Sequence, residues 1–227
     1  MKVHTKRWIQ VVVMVTLIAL SGTSIAQDSD MGDEPIVAVQ NVLWNGTDLV
    51  VEDAEAVLVR MHHGLSMTME TTGLEPDHVY TVWWVIFNNP ENCSDDACGP
   101  DDVFLMEDGE FILTDDGLRQ PNIAGREMTQ VSSFRATGNI GYYDGTSVFR
   151  AHLPIGDTTD DVSFGPALLD SMGSEVHLII RTHGPIIPEL LNEQLMTAWG
   201  ACPDPTDRSP CQDVQISVFP AYEPMDS

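Results

Sequence analysis

The stretch 79-VYTVWWVIFN-88 is apolar at nearly every position. Side chains of a strand alternate between the two faces of a sheet, so a strand that is apolar at odd and even positions needs cover on both faces. We therefore predict that 79–88 is a central strand. Residues 65–71 and 213–219 instead alternate apolar and polar side chains, which is typical of strands with one buried face.

The chain from residue 36 onward continues as short strands separated by Gly, Pro, Asn and Asp. The predicted strands are 36–44, 55–63, 65–71, 79–88, 103–106, 110–114, 131–137, 147–153, 175–182 and 213–219. One stretch favours a helix, because PELLNEQLMTAW (188–199) begins with proline and glutamate and is followed by Gly200. The sequence therefore predicts a mainly β protein. It would be a single antiparallel β-sandwich over 36–220, immunoglobulin/fibronectin-like or Greek-key, with one short helix near 189–199.

The first residues predict export. A basic start and an apolar run over 8–20 precede small residues that end at Ala26, which together are typical of a secretory signal peptide over 1–26. The polar residues 27–35 predict a flexible lead-in. We expect a secreted or periplasmic protein, cleaved near Ala26, with no membrane span in the exported part.

The composition is strongly acidic, with 35 Asp and Glu residues against 10 Lys and Arg residues and a formal net charge of −25. Such a chain repels nucleic acid and anionic membranes, so we expect an extracellular protein or a glycan as partner. The only lysines, Lys2 and Lys6, lie in the predicted signal peptide, which excludes lysine nucleophiles from the exported part. The acids are scattered, which favours a surface suited to salty water; calcium bound by acids of 89–102 or 154–161 is the alternative.

All four cysteines, Cys93, Cys98, Cys202 and Cys211, lie in the part predicted to be exported. An even number of cysteines in an oxidising compartment predicts disulfides, and three pairings are open. We favour Cys93 with Cys98 and Cys202 with Cys211, because each pair closes a short polar loop. A four-thiolate zinc site is the alternative, but the spacings C-x4-C and C-x8-C fit it poorly.

Two sets of residues carry resemblances to known proteins. GLEPDHVY (73–80) resembles the corner of fibronectin type III-like sandwiches, which implies that the Tyr80 hydroxyl bonds back to the backbone. Longer blocks, among them FNNPENC (87–93) and EVHLIIRTHGP (175–185), resemble a family of uncharacterised secreted bacterial β-sandwich proteins with FNNPE-x-C and EVHL-x-x-R-x-HGP blocks. That resemblance implies fold and no activity. A fainter likeness to chordin-type and copper/zinc superoxide dismutase-like sandwiches rests on histidines before glycine, and the dismutase metal pattern is not found.

The block EVHLIIRTHGP (175–185) has one polar face, because residues two apart in a strand share a side. That face carries Glu175, His177, Arg181 and His183. His177 and His183 would lie about 20 Å apart along an extended strand, so they cannot bind one metal ion together.

A second strand repeats this character, since Arg150 and His152 share a face of 147–153. If the two strands are neighbours, their polar residues form one patch. A structural hydrogen-bond network is the favoured interpretation, and a copper or zinc site is the alternative. The histidines proposed for that metal site are His152, His177, His62 and His63. The polar patch beside it consists of Arg150, Arg181, His183 and Glu175.

No enzyme signature is found, neither G-x-S-x-G nor H-E-x-x-H nor a phosphate-binding glycine loop, and no catalytic residue is nominated. Trp44, beside Asn45-Gly46, is the best exposed candidate for stacking on a sugar, although it stands alone. The predicted function is therefore an exported, acidic, disulfide-stabilised binding or surface-interaction protein. The alternative is a histidine-based metalloprotein that binds copper or zinc, with redox or hydrolytic activity.

Overall fold

A computed structural model describes residues 34–94, 98–108, 110–115, 120–156, 162–197 and 211–224, all within one unit that spans 32–227. The strands are β1 (Ile36–Trp44), β2 (Val50–Met61), β3 (Gly64–Thr71), β4 (His78–Phe87), β5 (Met106–Glu107), β6 (Glu110–Phe111), β7 (Val131–Ile140), β8 (Ser147–Pro154), β9 (Val162–Phe164), β10 (Glu175–Pro185) and β11 (Gln212–Phe219). The helices are α1 (Pro100–Val103), α2 (Ile123–Thr129) and α3 (Leu191–Met196), with a 3-10 turn at Pro90–Asn92. The predicted signal peptide lies outside the described residues.

Nine strands form one antiparallel sheet in the order β8-β3-β2-β1-β11-β10-β4-β7-β9. The sheet curls into a half-barrel, so that β7 and β8 meet although they lie near opposite ends of this order. At their contact the Asn139 side chain donates a hydrogen bond to the Val148 carbonyl at 2.9 Å. The mainly β, antiparallel class is confirmed, whereas the two packed sheets of a sandwich are replaced by one curled sheet. Alternation shows which face of a strand is buried, and a curled sheet and a sandwich bury that face equally well.

The central position predicted for 79–88 is confirmed, because β4 pairs with β10 on one side and with β7 on the other. On the concave face its side chains Val82, Trp84 and Ile86 join the main core. On the convex face Phe87 belongs to a second cluster with Cys98, Val103 and Val131. Each fully buried side chain of this kind stabilises the fold by about 1.5–3 kcal/mol.

The methionines of β3 are core residues, as the alternation predicts. Leu65, Met67 and Met69 are buried, and Ser66 and Thr68 between them are half-buried.

A buried arginine ties the concave face to two loops. The Arg60 guanidinium is 1% exposed and donates to the carbonyls of Ser171 at 2.6 Å, Ser174 at 2.9 Å and Pro220 at 2.7 Å, with a longer bond to Phe219 at 3.4 Å. Burial lowers the pKa of Arg60 to about 10, although the carboxylates of Asp170 and Glu175 oppose that shift. The charge stays in the core because main-chain oxygens surround it.

The tyrosine corner expected at 73–80 has the implied geometry. The Glu75 amide donates to the Tyr80 hydroxyl oxygen at 2.8 Å, and the hydroxyl reaches back toward the Glu75 carbonyl at 3.4 Å. Burial raises the pKa of Tyr80 above its ordinary value. Tyr80 therefore fixes the loop that leads into β4.

The predicted helix is found near its predicted position as α3, but α1 and α2 were not predicted. α3 lies inside the predicted 189–199 but spans only Leu191–Met196. α2 has no apolar stripe of the helical period and is capped by Asn122, whose side chain accepts a hydrogen bond from the Gly125 amide at 3.0 Å. Residues 103–106, predicted as a strand, are divided between α1, a bridge at Phe104 and the start of β5.

The Cys93–Cys98 disulfide is present. It closes the loop after β4, and Cys98 packs with Phe87, Val103 and Val131. Cys202 lies outside the described residues, so the pairing of Cys202 with Cys211 stays a prediction.

Candidate functional site

The strands that carry the predicted polar patch are not neighbours. Four strands, β3, β2, β1 and β11, lie between β8 and β10. Arg150 and His152 are exposed on β8, where Arg150 makes a loose ion pair with Glu70 at 3.8 Å. The structure therefore does not bring His152 and His177 into one site.

His177 is buried on β10 beside Glu175. Its Nε2 lies 2.6 Å from a Glu175 carboxylate oxygen, and its ring centroid lies 4.9 Å from that of Phe87. Buried polar groups of this kind require a partner, and the two side chains supply one to each other. At the start of β10, Glu175 and His177 therefore satisfy each other's hydrogen bonding and pack against the Phe87 ring.

Arg181 and His183 occupy the other end of the same face. Arg181 donates to Asp213 at 2.8 Å and lies 5.9 Å above the Trp83 ring. His183 is 1% exposed, and its Nε2 lies 2.8 Å from the Thr81 hydroxyl. These side chains are held by neighbouring strands, as a structural network requires.

A pocket lined by described residues lies elsewhere, at the end of the curled sheet near the tyrosine corner. Its volume is about 330 Å³ and it opens to solvent. The lining residues are Trp44, Gly73, Leu74, Glu75, His78, Tyr80, Thr182 and Val214. This volume falls at the lower end of the range for small-molecule sites.

Local backbone structure sets the position of the Trp44 indole. The turn after β1 is tied to β11 by the bond from the Asn45 amide to the Val214 carbonyl at 3.0 Å. Gly73 has a φ of +71°, and a Cβ there would lie 2.9 Å from the indole ring. Glycine therefore lets the indole approach the loop closely, with 36% of Trp44 exposed.

The pocket combines aromatic rings with a few polar groups. The His78 and Tyr80 ring planes are inclined by 28°, with centroids 6.5 Å apart. The Glu75 side chain is exposed at the rim, and no hydrogen bond among the described residues occupies its carboxylate or the Trp44 indole N–H. These groups can bind hydroxyl-rich or amide-bearing ligands. No nucleophile paired with a base is found among the described lining residues.

Two of the predicted metal-ligating histidines do meet at the surface. His63, in the turn between β2 and β3, lies with its ring centroid 6.5 Å from that of His152 on β8. His152 Nδ1 is 2.9 Å from the Ser66 hydroxyl. His62, the neighbour of His63 in the turn, is exposed.

Within the described ranges, Cys93, Cys98 and Asp102 are the one group of three potential metal ligands close together. The two sulfurs are bonded to each other, so neither is a thiolate. The Asp102 carboxylate accepts bonds from the amides of Ser94 and Gly99, each at 2.8 Å. This group closes the loop covalently and through hydrogen bonds. Calcium at 154–161 stays a prediction, since 157–161 lie outside the described residues.

The pocket was not predicted from the sequence, although several of its residues were singled out for other reasons. Trp44 carried a signal as an aromatic beside a turn, and five lining residues belong to the block 73–80 that was noted for its tyrosine corner. Trp44, Thr182 and Val214 come from segments far apart along the chain and meet that block only in the folded sheet.

No protein-family model, curated protein or solved structure matches the chain. The resemblance to a family of secreted bacterial β-sandwich proteins therefore stays a prediction. No helix within the described ranges has the length and apolarity needed to cross a membrane.

Proposed function

We propose that this chain is an exported binding protein that holds the end of a neutral glycan against Trp44. The observation that carries the proposal is the open pocket of about 330 Å³ with a partly exposed indole in its wall. An indole face supplies a large apolar contact at little entropic cost, which suits the apolar face of a sugar ring.

The polar groups of the pocket favour a neutral ligand rather than an acidic one. Glu75 places a carboxylate at the rim, where it accepts hydrogen bonds from hydroxyl groups and repels carboxylate or sulfate groups. The formal net charge of −25 acts in the same direction over a longer range. We therefore expect neutral hexose or N-acetylhexosamine ends to bind, and uronic or sialic acids not to bind.

Export is part of the proposal. Disulfides persist in oxidising compartments, and the Cys93–Cys98 bond supports that location for the folded domain. The basic and apolar start of the sequence supports it independently. The resulting location is the periplasm or the medium, where glycans are available.

The alternative metalloprotein with redox or hydrolytic activity has less support as the main function. It was built on His152 and His177, and these residues lie on strands that are separated by four others. His177 is also occupied by Glu175 at 2.6 Å.

The experiment is a glycan array probed with the untagged exported chain, followed by calorimetric titration of the neutral glycans that bind. Trp44→Ala should lower the affinity about tenfold, the equivalent of 1.4 kcal/mol of lost stacking. Glu75→Gln keeps the stacking surface and removes the charge, so it should relax the discrimination against acidic sugars.

Tyr222→Ala is the matched control. Tyr222 is 39% exposed, close to the 36% of Trp44, and does not line the pocket. Its affinity should equal that of the wild type. The proposal fails if neutral glycans do not bind, or if Trp44→Ala and Tyr222→Ala bind them equally well.

A further inference from the structure

The turn between β2 and β3 is held tightly against the end of β8. The His63 carbonyl accepts a hydrogen bond from the Ile155 amide at 3.0 Å. At the next residue, a Cβ on Gly64 would collide with the carbonyl oxygen of Leu153. Close packing and a main-chain bond therefore fix the backbones that carry His63 and His152 relative to each other.

The two imidazoles are placed within reach of one ion. Their ring centroids are 6.5 Å apart and their planes are inclined by 53°. An imidazole nitrogen binds zinc or copper at about 2.0–2.1 Å, which puts two rings on one ion roughly 5–6.5 Å apart. Both side chains are exposed, so rotation of the His63 side chain can bring one of its nitrogens toward His152 Nε2.

His152 already has the outer contact that metal-binding imidazoles use. Its Nδ1 lies 2.9 Å from the Ser66 hydroxyl, on the neighbouring strand at the paired register position. With the proton on Nδ1 the ring donates to Ser66, and the lone pair of Nε2 is available to an ion. Such a bond fixes both the tautomer and the orientation of a ligating histidine.

We propose that His63 and His152 form a surface site for a divalent transition metal, with copper(II) bound most strongly. Imidazole suits copper and zinc, and copper leads the affinity order for nitrogen ligands. Water completes the coordination shell. The strongly acidic chain raises the local concentration of cations and so favours loading. The site shares no residue with the glycan pocket and does not depend on the proposed function.

The test is a copper(II) titration of the untagged chain, followed by calorimetry and electron paramagnetic resonance. We expect one ion per chain and a spectrum with two coupled imidazole nitrogens. His63→Ala and His152→Ala should each lower the affinity at least about tenfold. Because either substitution destroys the chelate, the double variant should bind little more weakly than either single variant.

His62→Ala is the matched control, since His62 is an exposed histidine in the same turn. Its copper affinity should stay within about twofold of the wild type, a small difference on the scale of ligand loss. Equal thermal midpoints of the metal-free variants show that each one folds. A loss for His62→Ala as large as for His63→Ala, or strictly additive losses, would mean independent adventitious histidines and would overturn the proposal.

Discussion

Replacing Arg60 by methionine tests whether main-chain carbonyls hold this buried charge in place. Methionine retains most of the volume of the aliphatic stem and removes every donor. Three short bonds are lost, to Ser171 at 2.6 Å, Ser174 at 2.9 Å and Pro220 at 2.7 Å. Hydrogen bonds to a charged group contribute about 1.5–3 kcal/mol each, so the gross loss is roughly 6 kcal/mol.

The substitution also removes the cost of burying the Arg60 charge, and this offsets part of the loss in stability. The pKa of Arg60 falls from its ordinary value to about 10, mainly through desolvation. That shift corresponds to roughly 3 kcal/mol of burial cost that its partners do not recover. The expected net loss is therefore about 3 kcal/mol in the free energy of unfolding, close to the measured cost of breaking other buried charge networks. In a domain of this size it lowers the thermal midpoint by about 6–12 °C.

The assay is urea unfolding followed by tryptophan fluorescence, under non-reducing conditions and with equal slopes in both proteins. Arg150→Met is the matched control, because Arg150 is exposed and its ion pair with Glu70 is 3.8 Å long. That control should change the free energy of unfolding by less than about 1 kcal/mol. If Arg60→Met is no more destabilising than Arg150→Met, the guanidinium does not tie the loops to the core.

Three further sets of substitutions test the tyrosine corner, the pocket and the disulfide loop. Tyr80→Phe should cost about 1 kcal/mol of stability by equilibrium unfolding. Burial raises the pKa of Tyr80, so wild-type stability should also fall above pH 10.0, where the unfolded chain ionises first, and the phenylalanine variant should fall less. Gly73→Ala should destabilise the fold by about 1 kcal/mol because Gly73 has a positive φ. It should also weaken glycan binding, because the added Cβ displaces the Trp44 indole. An unchanged affinity by calorimetry would contradict the assignment of Trp44 to the binding site. Replacing Cys93 and Cys98 by serine should lower the free energy of unfolding in urea by about 2 kcal/mol, the amount expected for a disulfide that closes a short loop. No change would mean that the disulfide does not stabilise the folded chain.

The long strands could be predicted from the sequence because each has its own local periodicity. The short ones could not, since 103–106 is divided among three elements and β9 was not predicted. β3 reads as a half-buried strand and β4 as a covered one, and both descriptions hold. The curling of the sheet could not be predicted in this way. It depends on contacts such as Asn139 with Val148, and on a curl that no single strand encodes.

The histidine site was harder to predict from the sequence than the strands, because it depends on which strands become neighbours. The predicted patch required β8 beside β10, and the sheet order places β3 beside β8 instead. That order pairs Ser66 with His152 and brings the turn at His63 into reach. The same polar residues therefore meet different partners from those that sequence spacing suggested.

Burial finally separates two kinds of histidine that look alike in the sequence. His177 and His183 lie on the polar face of a strand, yet both are buried and each has a hydrogen-bond partner within 2.8 Å. A metal ion would have to break those bonds and bring its own desolvation cost with it. His63 and His152 are exposed, so an ion there replaces water alone. A polar strand face is thus evidence for a ligand site only where the fold leaves that face exposed to solvent. In this chain His152 on β8 is exposed, whereas His177 and His183 on β10 are both buried.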